Sequence, residues 1–194
     1  MTLWWKVRAL PVAVAGLVLF AALAALVGSA YAELPSLYGA TAQPLLLFAP
    51  LVLTLALSHC LHRRLPSAEA TGVRAGAWWD RVLALAVAGL GGGAVLLLPF
   101  ASGGQDQAAV GRNTLFLVGL LLVARRVAGE LAGAVAPVAW VLAMTLVGSP
   151  GPGRTYVWAV VLLPGGHQGA LAVSAGLLLL GIAVLPRGGP TGGG

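Results

Sequence analysis

The stretch ALPVAVAGLVLFAALAALV, residues 9–27, contains no charged or polar side chain. An α-helix needs roughly 20 apolar residues to cross a bilayer core about 30 Å thick, and this stretch has about that length. A water-soluble domain has about 25% charged residues, whereas 8% of this chain is charged and 59% is hydrophobic. The 194 residues therefore have too few charged side chains to cover a globular surface. The expected solvent is lipid.

Five more apolar runs follow the first, at residues 44–61, 82–100, 114–124, 131–147 and 170–185. The run at 114–124 is short and becomes long enough only by drawing in Arg112 and Arg125. A further patch, YVWAVVLLP at 156–164, is too short to cross and is typical of a re-entrant or interfacial segment. The pattern predicts an all-α, polytopic membrane protein. It has six transmembrane helices in a single transmembrane domain, residues 1–194.

The distribution of Lys and Arg residues supports the count of six transmembrane helices independently. If the N-terminus is cytoplasmic, the inner segments hold nine Lys and Arg residues: Lys6, Arg8, Arg63, Arg64, Arg74, Arg81, Arg125, Arg126 and Arg187. The outer segments hold two, Arg112 and Arg154. Cytoplasmic loops of membrane proteins are enriched in Lys and Arg, so both termini are predicted to be cytoplasmic, in a bacterial cell membrane. A flexible tail is expected at 187–194.

The first run has an alternative interpretation as a secretory signal, because SAYA at 29–32 resembles a cleavage site. Signal cores have about 7 to 15 apolar residues, so the longer run favours a retained span. Before it, Trp4, Trp5, Lys6 and Arg8 are typical of an interfacial anchor, with the cations on an anionic inner leaflet. They form either a short interfacial helix or a simple flanking anchor.

The longest polar stretch, HRRLPSAEATGVRAGAWWDR at 62–81, is predicted to be a cytoplasmic loop. Pro66, Ser67 and Glu69 are typical of a helix start, and Trp78 and Trp79 suit the interface before the third span. The stretch is therefore either a contact for a peripheral partner or an ordinary connecting loop.

His59, Cys60 and His62 lie together in SHCLHRR, residues 58–64. Zinc sites usually take four ligands, and the remaining histidine, His167, is predicted on the opposite side of the membrane. The stretch is interpreted as an interfacial helix end, so neither metal nor cofactor is expected. The single cysteine excludes an internal disulfide.

The third run contains GLGGGAV at 89–95, in which Gly89 and Gly93 have the G-x-x-x-G spacing. Small residues allow close contact between membrane helices, so these glycines predict a helix-packing seam. The alternative is a broken helix that lines a path.

The stretch GSPGPGRTYVWAVVLLPGGHQGA, 148–170, predicts a dip into the outer leaflet and back over about 150–168, with Arg154, Trp158, Pro164 and His167 as its marked residues. Ser149 and His167 do not indicate a serine protease, because the serine stands in G-S-P-G rather than G-x-S-G. No Asp or Glu lies well inside a span, which argues against a carboxylate ion relay. No enzymatic activity is expected.

This arrangement resembles the permease subunits of type II ABC exporters. The stretch NTLFLVGLLLVARRVAGELAGAVAPVAW, 113–140, followed by YVWAVVLLP, is similar to small actinobacterial permeases of this kind. The resemblance implies a cytoplasmic ATPase as partner, since the chain has no Walker lysine motif, and a second permease, identical or different. It places the ATPase contact on a helix at 66–79 that includes Glu69, Val73, Arg74, Trp78 and Trp79. The substrate path would be lined by the first, second and fifth spans.

Two other functions stay open. A substrate-binding subunit of an energy-coupling vitamin importer also has six spans and docks through small-residue faces, and Ala21, Ala24 and Ala25 fit such a face. Sparse polar residues within the spans suit a structural subunit of a membrane complex. Nucleic acid is not an expected partner, because the net charge of +6 is spread in small groups between apolar runs.

Overall fold

The computed structural model describes residues 10–27, 30–62, 75–97, 105–150 and 154–185. These residues form six α-helices: α1 Leu10–Val27, α2 Ala49–His62, α3 Ala75–Leu97, α4 Gln105–Ala128, α5 Glu130–Val147 and α6 Gln168–Val184. They also form strands β1 Tyr31–Ser36 and β2 Gly39–Pro44, and two 3-10 turns, Leu45–Phe48 and Val160–Leu162. The described chain is thus mostly helical, as predicted.

Four stretches are long and apolar enough to cross a membrane: Leu10–Val27, Leu45–His62, Ala108–Ala128 and Glu130–Val147. Helix α6 is apolar and 17 residues long. These helices are compatible with a membrane location. Helix α4 extends well beyond the apolar run at 114–124, and both Arg112 and Arg125 lie inside it, which confirms that this helix includes its polar flanks.

Successive helices alternate in direction. Helices α4 and α6 run parallel, because Arg112 lies beside Pro164 and Gly119 lies beside Leu178. Helix α5 turns back along α4, where Gly133 contacts Arg125. Helix α3 begins where α6 ends, since the Arg81 guanidinium donates to the Leu185 carbonyl at 2.8 Å.

This alternation gives the bundle two distinct ends. The hairpin end contains β1, β2, the last turn of α5 and the segment 154–167. The histidine end contains His62, Arg81, Arg125 and Glu130. Three residues of the predicted cytoplasmic segments, His62, Arg81 and Arg125, therefore lie at one end, and Arg154 lies at the other.

Helix α4 is the centre of the bundle. Within its span Ala108–Ala128, 67% of an 18-residue stretch is buried, against 11% of Leu10–Val27 in α1. Glycines allow the neighbouring backbone to approach: a Cβ at Gly119 would lie 2.6 Å from the Leu178 nitrogen, and one at Gly181 would lie 2.9 Å from Leu122 Cβ. The backbones of α4 and α6 therefore pack in close contact.

The predicted seam at Gly89 and Gly93 is not a contact within the described part of the chain. A Cβ at either position would have no neighbour within 4 Å. A Cβ at Gly91 would instead lie 2.8 Å from Thr114 Cγ2, and one at Gly111 would lie 3.2 Å from the Gly92 oxygen. The glycines that pack against α4 thus lie on another face of α3, which is helical throughout 75–97.

The β-hairpin is the element that the all-α prediction misses. Its strands pair from Tyr31 opposite Pro44 to Ser36 opposite Gly39, with a two-residue loop between them. Gly39 has a φ of +114°, which favours glycine, and Ser36 Oγ donates to the Gly39 carbonyl at 2.6 Å. Pro35 lies in β1 and Pro44 in β2. Both strands are edge strands, which tolerate proline.

Several predicted residues lie outside the described residues. They are Trp4, Trp5, Lys6, Arg8, Glu69, Val73, Arg74 and the tail 187–194. Trp78 and Trp79 lie in the first turns of α3, and the Trp78 side chain is exposed.

Candidate functional site

The segment 154–167 connects α5 to α6 and is helical only in the 3-10 turn at 160–162. Ala159, Val160, Val161 and Leu163 are buried. Buried backbone carbonyls need hydrogen-bond partners, and helix and sheet ladders do not supply them here. Turns within the segment supply some of the partners, and side chains of α4 supply others.

Arg112 supplies two of these partners. Its side chain is buried, with 2% relative exposure, and its guanidinium donates to the carbonyls of Leu163 and Pro164, each at 2.8 Å. The flat, forked guanidinium presents five donors in a fixed geometry, so one side chain can bind two successive carbonyls. Arg112 thereby fixes the turn that precedes α6.

Asn113 completes the arrangement. Its Nδ2 donates to the Val161 carbonyl at 2.9 Å, and its Oδ1 accepts from Arg112 Nε at 3.3 Å and Nη2 at 3.0 Å. Asn113 thus binds the segment with one end of its amide and orients the guanidinium with the other. We call Arg112 and Asn113, with the carbonyls of Val161, Leu163 and Pro164, the Arg112 clamp.

The charge of the clamp is not matched by a carboxylate within the described residues. The hydrogen-bond partners of Arg112 are two carbonyl dipoles and one amide oxygen. A charged group is costly to bury, and an ionisable side chain within a membrane helix generally marks a functional position. What the clamp does is hold a non-helical apolar segment in place.

Further contacts fix both ends of the segment. Ser149 Oγ donates to the Arg154 carbonyl at 2.7 Å, and the Tyr156 amide donates to the Gly148 carbonyl at 3.0 Å. At the other end His167 is the N-cap of α6, with its Nδ1 accepting from the Ala170 amide at 3.1 Å.

The four residues predicted to mark this segment thus have separate positions. The carbonyl of Pro164 belongs to the clamp, and His167 caps α6. Arg154 and Trp158 are exposed.

At the histidine end, the tertiary structure brings together residues that are distant in sequence. His62 Nδ1 lies 2.6 Å from Glu130 Oε2, and Arg125 Nη2 lies 2.7 Å from Glu130 Oε1. Arg125 also donates to the Leu61 carbonyl at 2.8 Å. Gly129, with a φ of +91°, makes the sharp turn between α4 and α5 that places Glu130 there. We call His62, Arg125 and Glu130 the Glu130 cluster.

The three residues of SHCLHRR do not converge. Cys60 is fully buried in the core, His59 is exposed, and His62 pairs with Glu130. The described part of the chain contains no group of three or more His, Cys, Asp or Glu side chains that could hold a metal ion. The described part of the stretch, residues 58–62, is a helix end.

Comparison of this chain with protein-family models, curated proteins and solved structures finds no match. The Arg112 clamp and the helix arrangement are therefore the grounds for assigning a function. Sequence reasoning placed Arg112 in an outer segment and did not single out Asn113. The available signal was the polar sequence GRNT, 111–114, at the start of an apolar run.

Proposed function

We propose that this chain is the membrane-spanning permease subunit of an ATP-driven exporter. It crosses the membrane six times, with the histidine end in the cytoplasm and the hairpin end outside. It forms half of a substrate path with a second permease, and a separate cytoplasmic ATPase supplies the energy.

The Arg112 clamp is the observation that carries this proposal. The family that the sequence resembles has a re-entrant segment before its last span, and here an apolar, non-helical segment directly precedes α6. Non-helical backbone at membrane depth is tolerated only where it is buried in protein or lines a water-filled cavity. The hydrogen bonds from Arg112 and Asn113 to three carbonyls meet that requirement.

The direction and length of the helices support six crossings. The alternation from α1 to α6 is what repeated crossing requires. At 1.5 Å per residue, α3 with 23 residues is about 34 Å long and α6 with 17 residues is about 25 Å long. The gathering of His62, Arg81 and Arg125 at one end supports a cytoplasmic histidine end.

The ATPase contact is proposed for the stretch 66–79 at this same end. The exposed Trp78 in the first turn of α3 offers a large apolar side chain to a peripheral partner. Aromatic residues are enriched among the side chains that dominate protein interfaces.

Extraction of the tagged chain in a mild detergent tests the partnership. We expect a nucleotide-binding subunit to copurify and to hydrolyse ATP, and we expect deletion of residues 68–77 to abolish its binding. Replacement of 68–77 by a Gly/Ser linker of equal length controls for loop length and should also abolish binding. An ATPase that still binds both variants disproves the coupling site, and a stable complex without any ATPase favours the structural-subunit function.

Topology is tested separately by tags at the two termini. Both tags should be inaccessible in intact cells and become accessible together after the inner membrane is permeabilised. Tags reachable from opposite sides would exclude six crossings and with them the permease assignment.

A further inference from the structure

Aromatic and aliphatic side chains are exposed together at the hairpin end. Leu37 and Val157 have relative exposures of 74% and 76%, and the rings of Tyr38, Tyr156 and Trp158 are exposed beside them. We call these five residues the aromatic platform. A cluster of large apolar side chains exposed together usually marks a contact with a partner or a membrane.

The aromatic rings of the platform contact one another. Tyr156 and Trp158 are stacked, with centroids 5.8 Å apart and planes inclined by 19°. A side-chain hydrogen bond between Tyr38 and Tyr156 links the hairpin loop to the segment 154–167 and raises the pKa of Tyr156 above its ordinary value. Two elements far apart in sequence therefore present one surface.

The platform has a fixed level relative to the helices. The Leu37 amide donates to the Leu146 carbonyl in the last turn of α5 at 2.9 Å. Leu142 and Leu146 of α5 are themselves exposed and apolar, so the platform continues the apolar surface of a helix long enough to cross a membrane. It lies where that surface ends.

We propose that the aromatic platform lies in the headgroup layer of the outer leaflet and binds the polar ends of phospholipids. This inference rests on the membrane orientation given under the proposed function. Tyr and Trp prefer the membrane interface, since each has an apolar ring and a hydrogen-bonding group. The exposed guanidinium of Arg154, two residues before Tyr156, suits a lipid phosphate.

The lipid layer also accounts for Leu37 and Val157 better than a soluble ligand does. A water-exposed platform for a small ligand would need only the rings, whereas these two exposed aliphatic side chains add apolar surface to the stack. The headgroup layer is about 5–8 Å thick on each side, which is deep enough for the loop of a two-stranded hairpin.

Depth measurement with nitroxide spin labels tests the inference in the full chain. Leu37→Cys and Leu142→Cys are each labelled and reconstituted into vesicles of phosphatidylethanolamine and phosphatidylglycerol. The accessibility of each label to oxygen and to a water-soluble nickel chelate is then compared. Native Cys60 is fully buried, so the unaltered chain is the control for background labelling.

We expect the label at 142 to lie in the acyl chains and the label at 37 about 6 Å or more above it, because residue 142 lies one helical turn before 146. Trp158→Ser should shift the label at 37 toward water, whereas Trp158→Phe should not. Oxygen and nickel accessibilities at 37 equal to those of a free label in water would overturn the platform alone. A label at 142 that is also aqueous would overturn both the platform and the membrane orientation.

Discussion

Helix α4 places Arg112 at one end of the bundle and Arg125 at the other, and these two residues have opposite surroundings. Arg112 is buried and donates to the carbonyls of Leu163 and Pro164. Arg125 pairs with Glu130, whose side chain is 43% exposed and which also pairs with His62, 69% exposed. One site is a cation among dipoles away from water, and the other is an ion pair whose guanidinium is 9% exposed and whose carboxylate faces water.

The difference shows that formal charge pairing is a poor guide to which site matters more. Exposed ion pairs contribute about 0–1 kcal/mol, because water and salt screen them. A hydrogen bond to a charged group contributes about 1.5–3 kcal/mol, and a buried acceptor that loses its partner costs about 1–3 kcal/mol. The Arg112 clamp should therefore outweigh the Glu130 cluster, although only the latter contains opposite charges.

The two sites also differ in what they hold. The Glu130 cluster joins the ends of regular helices, whose backbone hydrogen bonds are largely satisfied within each helix. The Arg112 clamp holds a segment with a single 3-10 turn, for which the hydrogen bonds from α4 replace a ladder. Loss of the clamp should change the conformation of the segment 154–167. Loss of the cluster should lower only the free energy of unfolding.

The largest effect is expected for Arg112→Ala. It removes both guanidinium hydrogen bonds to the segment, so that the Leu163 carbonyl loses its donor and the Pro164 carbonyl keeps only the His167 amide. The loss should lower the free energy of unfolding by about 3 kcal/mol. Unfolding in mixed micelles by a denaturing detergent, followed by circular dichroism, measures this. Arg126→Ala is the control, since Arg126 is exposed in the same helix and its loss should cost no more than about 0.5 kcal/mol. Equal effects of the two variants would contradict the comparison.

The next largest effect is expected for Gly119→Ala at the contact between α4 and α6. The new methyl would lie 2.6 Å from the Leu178 nitrogen, which is backbone and cannot rotate away. Overpacking costs about 1–3 kcal/mol, and the gain in helix propensity offsets up to about 1 kcal/mol of it. Gly176→Ala in α6 has no neighbour within 4 Å and should be neutral or stabilising in the same unfolding assay. A stabilising Gly119→Ala would disprove the close approach.

The helices were predictable because, in a chain with only 8% charged residues, a long apolar run has few alternatives to a membrane-spanning helix. The predicted runs 9–27, 44–61 and 131–147 correspond closely to helical stretches of the structure. The hairpin was not predictable in the same way. Pro35 and Pro44 argue against strands unless both are edge strands, and this depends on the absence of a third strand within the described residues.

The glycines of α3 that pack within the described bundle are not the pair that the spacing selects. The G-x-x-x-G spacing selects Gly89 and Gly93, but spacing alone does not determine which face of α3 meets α4. In the structure Gly91 and Gly92, which lie between the selected positions, make the contacts. At 3.6 residues per turn the two pairs lie on different faces of the helix, and a single sequence does not say which face meets α4.

The functional contacts were the least predictable, since they join distant parts of the chain. Arg112 and Pro164 are 52 residues apart, and His62 meets Glu130 only because Gly129 makes a sharp turn between α4 and α5. Sequence reasoning identified Pro164 and His167 but not the arginine that binds the first of them. Long-range pairs of this kind need the fold.

The contribution of Asn113 can be separated from that of Arg112 by a double-mutant cycle. Asn113→Ala should cost about 1–2 kcal/mol, because the Val161 carbonyl and Arg112 each lose a partner. The coupling energy with Arg112→Ala should be about 1 kcal/mol. Thr114→Val is the control, since Thr114 Oγ1 bonds only within α4, to the Val110 carbonyl. Additive losses would mean that the two residues act independently.

The smallest effect is expected for Glu130→Gln. The change removes the carboxylate charge from the pairs with His62 and Arg125 but keeps an oxygen that can accept a hydrogen bond, so the loss should be at most about 1 kcal/mol. Because Glu130 and His62 are partly exposed, salt should screen the pair, and at about 1 M salt the variant and the unaltered chain should unfold alike. Arg112→Ala should keep its full effect at the same salt concentration, since its buried partners are carbonyls that mobile ions do not reach. A salt-independent loss at Glu130 as large as that at Arg112 would contradict the difference argued between the two ends.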